Sequence, residues 1–163
     1  MAVSIYMKID DIEGESTVDG YEKWSALQSL TFGGSQSGTM QIGTGGGGGK
    51  CSIQDLFGTK YVDKASSTMF QYMCSGQHFK KCEIHVTKAG GNDETMVPYV
   101  KYIAEEVIVS SMTQTPSDGT ELVTESFSLN FAKITYIYTP QTADGASDTE
   151  IPKIFNIRNN KVE

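Results

Sequence analysis

A mainly β fold is what this 163-residue chain predicts: a small antiparallel β-barrel of two packed sheets, with one short α-helix at its side and long loops. Three observations point there. Apolar and polar residues alternate with a period of two over most of the chain, the pattern of half-buried strands. Helical spacing occurs convincingly in a single short stretch. Most telling is the run Ser126 to Tyr138, where Phe127, Leu129 and Phe131 share one parity and Ile134, Tyr136 and Tyr138 take the other. A strand that long, with a slipped apolar phase, serves a core on one face and then on the other, as at a bulge or barrel corner.

The elements follow in order. Val3, Ile5, Met7 and Ile9 alternate with Ser4, Tyr6 and Lys8 as an opening strand, and Asp10 to Glu15 turns the chain as a solvated acidic loop. An EF-hand would need a longer ligand loop with a distal Glu. A second strand runs from about Lys23 to Phe32. Trp24, Ala26, Leu30 and Phe32 are expected on one face and Ser25, Ser29 and Thr31 on the other, with Leu27 and Gln28 breaking the pattern. The second face is small, polar and uncharged. Plain solvent exposure explains it, and so does a wall along which another macromolecule slides or docks without strong electrostatic capture.

Residues 33–50 read as a low-complexity loop, with Gly45, Gly46, Gly47, Gly48 and Gly49 in succession. Five glycines lose too much backbone entropy to form a regular element unless something outside orders them. Gly43, Gly45 and Gly48 match a dinucleotide fingerprint, with Asp63 downstream, but that site needs a helix after the glycines to hold the pyrophosphate. Here a strand-like CSIQDLF follows. A P-loop frame fails as well, because Thr44 and Cys51 stand where Gly and Ser or Thr are required.

The helix spans about Ala65 to Ser75, with Asp63 or Ser66 to cap it and Gly76 to stop it. Met69, Tyr72 and Met73 form a packing stripe. From Phe79 to Thr87, Cys82, Ile84 and Val86 face one way and Lys81, Glu83, His85 and Thr87 the other. That parity separates Cys82 from His85, which excludes a Cys74–His78–Cys82–His85 zinc set and a thiol–imidazole pair. Ala89 to Asp93 is a turn. Strand-like residues from about Val97 to Gln114 then pair, across a turn at Thr115 to Gly119, with the long strand. Glu105 and Glu106 point to opposite faces, poor geometry for an acid–base pair. A closing strand at Ile154 to Ile157 follows a polar loop.

Composition bounds function. The formal charge is −7, from 13 Lys plus Arg against 20 Asp plus Glu, with no basic stripe for nucleic acid. Three cysteines without CxxC favour reduced, cytosolic folding. The opening residues do not read as a signal peptide, and no run suits a membrane helix, so no membrane insertion is expected. Export would use a route that reads the folded protein. One domain, 1–163, with no enzyme constellation and no cofactor or metal, is the expectation.

Taken together, VSIYMKIDDIEGES, SQSGTMQIGTGGGGGK, VDKASSTMFQYMCSGQHF, VTKAGG and above all ESFSLNFAKITYIYTPQTADG resemble the haemolysin-coregulated protein (Hcp) family, the tube subunit of the bacterial type VI secretion system. The resemblance covers essentially the whole chain, with Ser67 where many members carry Pro and more cysteines than usual. It implies a phage tail-tube-like barrel that forms homohexameric rings, stacked into a hollow tube that a contractile sheath and spike expel. It also implies synthesis in the cytoplasm, secretion without a cleaved leader and effector proteins carried in the ring lumen. Ser25, Ser29 and Thr31 then become the expected lumen contacts. Met40 and Ile42 become apolar anchors where Gly45 to Gly49 order against a neighbouring subunit or ring. A monomeric ligand- or carbohydrate-binding barrel, stacking ligand on Trp24, Tyr136 and Tyr138, stands as the alternative.

Overall fold

The computed structural model describes residues 3–41, 43–89 and 96–163, with Ala89 described for its backbone alone. Strands β1 (Val3–Ile9), β2 (Ser25–Thr31), β3 (Gly34–Gly38), β4 (Gly48–Ile53) and β5 (Leu56–Tyr61) precede helix α1 (Lys64–Ser75). Strands β6 (Phe79–Ala89), β7 (Met96–Thr115), β8 (Thr124–Tyr138), β9 (Ile151–Asn156) and β10 (Lys161–Val162) follow it. Strands β8, β5, β2, β1, β6 and β7 pair in that order, and β7 returns to β8 to close the barrel. Strand β9 extends the sheet from β8, β10 extends it from β9, and β3–β4 form a separate hairpin.

Closure depends on the bend in β8. Its first half pairs with β5 and the end of β7, and its second half pairs with β9 and the start of β7. The expected slip in side-chain phase is present: Phe127, Leu129 and Phe131 are buried, and after Ala132 and Lys133 the inward residue is Ile134. At the slip the Ala132 carbonyl accepts hydrogen bonds from the Ile157 and Arg158 amides. On β7, Glu106 beside it has a left-handed φ of 54°. The core fills with Met7, Ile9, Leu56, Ile84, Val107, Phe127 and Leu129. Gly58 is required there, since a Cβ would stand 2.6 Å from the Phe127 ring.

Two strand expectations change. In β2, Leu27 opposes Lys60 and Ser29 opposes Thr59, so Gln28 is the extra residue of a bulge. Trp24 and Ala26 therefore lie on the outer face while Leu30 points inward, so the four residues expected together are divided. The glycine-rich loop also carries more order than its composition suggests. Strands β3 and β4 pair through it, joined by a 3₁₀ turn at Gly43–Gly45, and Gly49 is suited to its place because a Cβ would collide with Ser37. The turn expected at Gly90 to Asp93 lies outside the described residues.

Helix α1 is set by its caps. The Asp63 carboxylate accepts from the Ala65 amide, the Ser66 hydroxyl accepts from the Asp63 amide, and Gly76 ends the helix at φ 70°. Ala65 and Met69 enter the core. Beneath the first turn lies Lys60, fully buried. Its ammonium meets Asp63 Oδ1 and Glu125 Oε2, each at 2.8 Å, and donates to Ser66 Oγ at 2.9 Å. Ser66 in turn donates to Glu125 Oε2 at 2.7 Å, so one network pins β5, α1 and β8 together. Glu125 Oε1 is buried without a partner.

Replacing Lys60 with Met strands the buried Glu125 carboxylate. It is expected to cost about 3–5 kcal/mol and to lower the thermal midpoint by roughly 6–20 °C. Lys60→Met/Glu125→Leu should recover most of that in a calorimetric scan, and an unrecovered double variant would contradict a desolvated ion pair as the cause.

Candidate functional site: an uncharged sheet face

Beyond the Gln28 bulge, the outward residues of β2, β5, β8 and the end of β7 line up in register. Ser29, Thr59, Ser126 and Thr113 make one row across the four strands, and Thr31, Phe57, Ser128 and Ser111 make the next. Tyr61, Thr124 and Thr115 continue it on three strands. None of these side chains is ionisable in the neutral range. The hydroxyls bond one another: Ser29 to Thr59 at 2.6 Å, and Ser110 to Ser128 at 2.7 Å. Charge enters only at the rim, where Asp55 accepts from Ser110 and from Asn130. On a chain with a formal charge of −7, a broad neutral wall leaves the acids to other surfaces. It offers short hydrogen-bonding arms and two aromatic rings, Phe57 and Tyr61, without long-range attraction or repulsion.

Ser29 and Thr31 sit on this wall as expected. Ser25 does not: at 3 % exposure it points inward on the other side of the bulge, opposite Met7. The sequence signal for that split was the Leu27–Gln28 break. Phe57, Thr59, Ser126, Ser128, Ser111 and Thr113 were missed because only the cross-strand register brings them together. Met40 stands 76 % exposed near the hairpin tip, followed by the glycines Gly45 to Gly49, while Ile42 lies outside the described residues.

The described residues hold no cluster of three or more His, Cys, Asp or Glu able to bind an ion. Cys82 is buried in the core, and burial pushes its thiol far above the ordinary range. His85 lies on the opposite face of β6, packed by Trp24 and Tyr21, and the Tyr21 hydroxyl stands 3.0 Å from its Nδ1. Burial lowers the imidazole to about 4 and raises the Tyr21 phenol to about 12. Both shifts keep the phenol protonated and the ring neutral at pH 7, so the contact is a hydrogen bond between uncharged groups. The glycine fingerprint is also inactive: a 3₁₀ turn and a strand occupy it, with no helix to receive a phosphate. No helix among the described residues is long and apolar enough to cross a membrane.

A closed barrel thus presents a neutral hydroxyl wall and a largely exposed β3–β4 hairpin. Comparison with known proteins gives the family. A model described as "Type VI secretion system effector, Hcp" matches residues 6–138. Protein hcp1 of Pseudomonas aeruginosa is 40% identical over 161 residues, covering 98% of each chain. A solved type six secretion system protein superposes with a TM-score of 0.91 at 28% identity, over 99% of this chain and 100% of that one. Hcp1 from Salmonella typhimurium gives 0.77 at 26% identity, over 99% and 100%. The chain belongs to the Hcp family of type VI secretion proteins, a family of secreted structural proteins and not of enzymes.

The His85 cluster generates an acid sensitivity. The folded imidazole binds its proton only near pH 4, the unfolded one near 6.5, so the unfolded chain holds more protons between those values. Stability from this residue is complete above pH 6.5 and is lost as pH falls toward 4, on the order of 1–2 kcal/mol after discounting for solvent screening. His85→Asn, which keeps an acceptor for Tyr21, should lose less of its melting temperature than the wild type between pH 7 and pH 4.5. Equal losses would remove His85 as the cause.

Proposed function

We propose that this chain is a tube subunit of a type VI secretion system. Six copies form a ring, rings stack into a hollow tube, sheath contraction expels that tube behind its spike, and the lumen carries or stabilises effector proteins. The observation that carries this reading is the uncharged four-strand face. Curved around a channel, such a wall lets a protein slide or rest without being trapped by charge, and its hydroxyls exchange partners readily between cargo and water. Assembly from copies of one chain also covers strand edges that would otherwise invite promiscuous pairing. Membership of a family whose members self-assemble supports the same conclusion.

A ligand-binding barrel finds less support. Trp24 packs into the outer cluster with Tyr21 and His85, whereas Tyr136 packs with Phe32 and Tyr102 on the inner side, so Trp24 shares no platform with Tyr136.

Native mass spectrometry with negative-stain imaging tests the proposal. A hexamer with a central hole is the expected species, and persistent monomers at high concentration would refute it. Within the ring, Thr31→Arg should leave the hexamer intact and reduce retention of co-expressed effector roughly tenfold or more, the equivalent of about 1.4 kcal/mol. Undiminished retention would take Thr31 off the lumen.

The β3–β4 hairpin is assigned to subunit or ring stacking, with Met40 as an anchor beside Gly45 to Gly49. A projecting ribbon whose residues are largely exposed and uncharged makes few contacts within its own chain. Deleting Gly45 to Gly49 should shorten or abolish tubes seen by electron microscopy while leaving single rings. Full-length tubes from the deleted protein would show the segment to be dispensable.

A further inference from the structure

Among the described residues the β3–β4 hairpin pairs with no strand of the main sheet, and a cleft of about 540 Å³ lies between the two. Its walls follow from register. Gly49, Cys51 and Ile53 alternate along β4 and turn one face of the hairpin toward the cleft. The facing floor is built by two cross-strand rows on β8 and β9, Ile134 with Phe155 and Tyr136 with Lys153. Phe32 also lines it, its ring parallel to that of Tyr136 with centroids 6.3 Å apart. Two sheets whose inner faces interdigitate pack about 10 Å apart and fill the space between them. Here the hairpin brings a glycine and a cysteine where larger side chains would fill the gap. The apolar floor therefore stays open, with Tyr136 37 % exposed.

The charge on this lining runs against that of the chain. A protein with a formal charge of −7 lines the cleft, among the described residues, with no carboxylate and a single cation, Lys153. Lys101 on β7 pairs with Glu150, and Lys133 on β8 with Glu105 and Glu163, but Lys153 enters no ion pair among the described residues. Gln36 and Asn160 add neutral amides. Small-ligand sites are clefts of roughly 300–1,000 Å³ with mostly apolar and aromatic walls and a few polar groups that fix orientation, and this cleft has that composition. We propose that it binds a small amphipathic carboxylate, with the apolar body on the Ile134, Phe155 and Tyr136 floor and the anionic head at Lys153. An unpaired ammonium beside an apolar cleft attracts an anion with a tail and repels a cation. The head contact is partly exposed, so it sets the sign of the charge that is accepted, while burial of the body supplies most of the affinity. The site is complete within one chain and does not rest on assembly. Bound ligand would bridge the hairpin to the barrel.

Cys51 reports occupancy. It lines the cleft, whereas Cys74 is exposed on the helix and Cys82 is buried, so the three thiols serve as probe, reference and blank. N-ethylmaleimide labelling of the full chain, resolved by peptide mass spectrometry, should show Cys51 slowed by submicellar decanoate while Cys74 keeps its rate. At about ten times its dissociation constant decanoate should slow Cys51 roughly tenfold, since the thiol reacts only in the empty fraction. Decylamine should protect little. Lys153→Met should weaken protection by decanoate and leave the rate of unliganded Cys51 unchanged. Equal slowing of Cys51 and Cys74, or of neither, overturns the site. Protection by decylamine as strong as by decanoate, or undiminished protection in Lys153→Met, overturns its assignment to an anion. A Cys51 that is unreactive without decanoate shows the cleft already covered, by another subunit or by the hairpin itself, and overturns the proposal too. Each of these results leaves the tube reading standing.

Discussion

Everything in the molecule depends on one bent ribbon, the β7–β8 pair. A straight pair of strands this long would belong to a single flat sheet, but β8 must hydrogen-bond with β5 at one end and β9 at the other while β7 stays beside it throughout. The change of direction at Ala132 and Lys133 makes that possible. Its backbone consequences are met locally: the Ala132 carbonyl takes amides from Ile157 and Arg158, and Glu106 adopts a left-handed φ that an L-residue holds only at some energetic cost. The same bend divides the ribbon into a half whose outward face is the hydroxyl wall and a half whose inward face runs out to the exposed Tyr138. The barrel and its hydroxyl wall are thus products of a single irregularity.

Charge is then partitioned by depth as well as by surface. Lys60 and Glu125 are fully buried beneath the wall, where desolvation is costly, yet the pair shares Ser66 and Asp63 with the helix cap. The network contributes little net stability compared with an apolar filling of the same shape. It contributes a unique seating for α1, because sliding the helix by one turn would strand two carboxylates and an ammonium in the core.

The sequence made the periodic parts legible and the register-dependent parts illegible. The strand at Val3 to Ile9, the helix with its Asp63 and Gly76 ends, the phase slip in β8 and the long β7–β8 hairpin could be read because each is written in the spacing of neighbouring residues. The wall could not be read whole, because Thr31, Phe57, Ser128 and Ser111 come from four segments and meet only through pairing. Ser25 was misplaced for the complementary reason: one extra residue at Gln28 inverts every side chain on one side of it, and two anomalous positions in a seven-residue strand are the only trace. The hairpin within the glycine run was hidden because alternation carries no signal where side chains are absent. Family likeness supplied function at a point where residue chemistry alone ended at an inert wall.

Neutral contact surfaces also explain how so acidic a chain can self-associate. Its unbalanced charge need not be spread evenly. On the half of the barrel away from the wall, Lys133 lies between Glu105 and Glu163, and Lys101 pairs with Glu150. Exposed charges more than a Debye length of about 8–10 Å from a contact are largely screened. A face cleared of acids over that range lets hydrogen bonds and apolar burial set the association energy, while the acids elsewhere would keep the proposed rings from sticking indiscriminately side by side. In the proposed tube, a neutral inner face and an acidic outer surface would divide the work between holding and repelling.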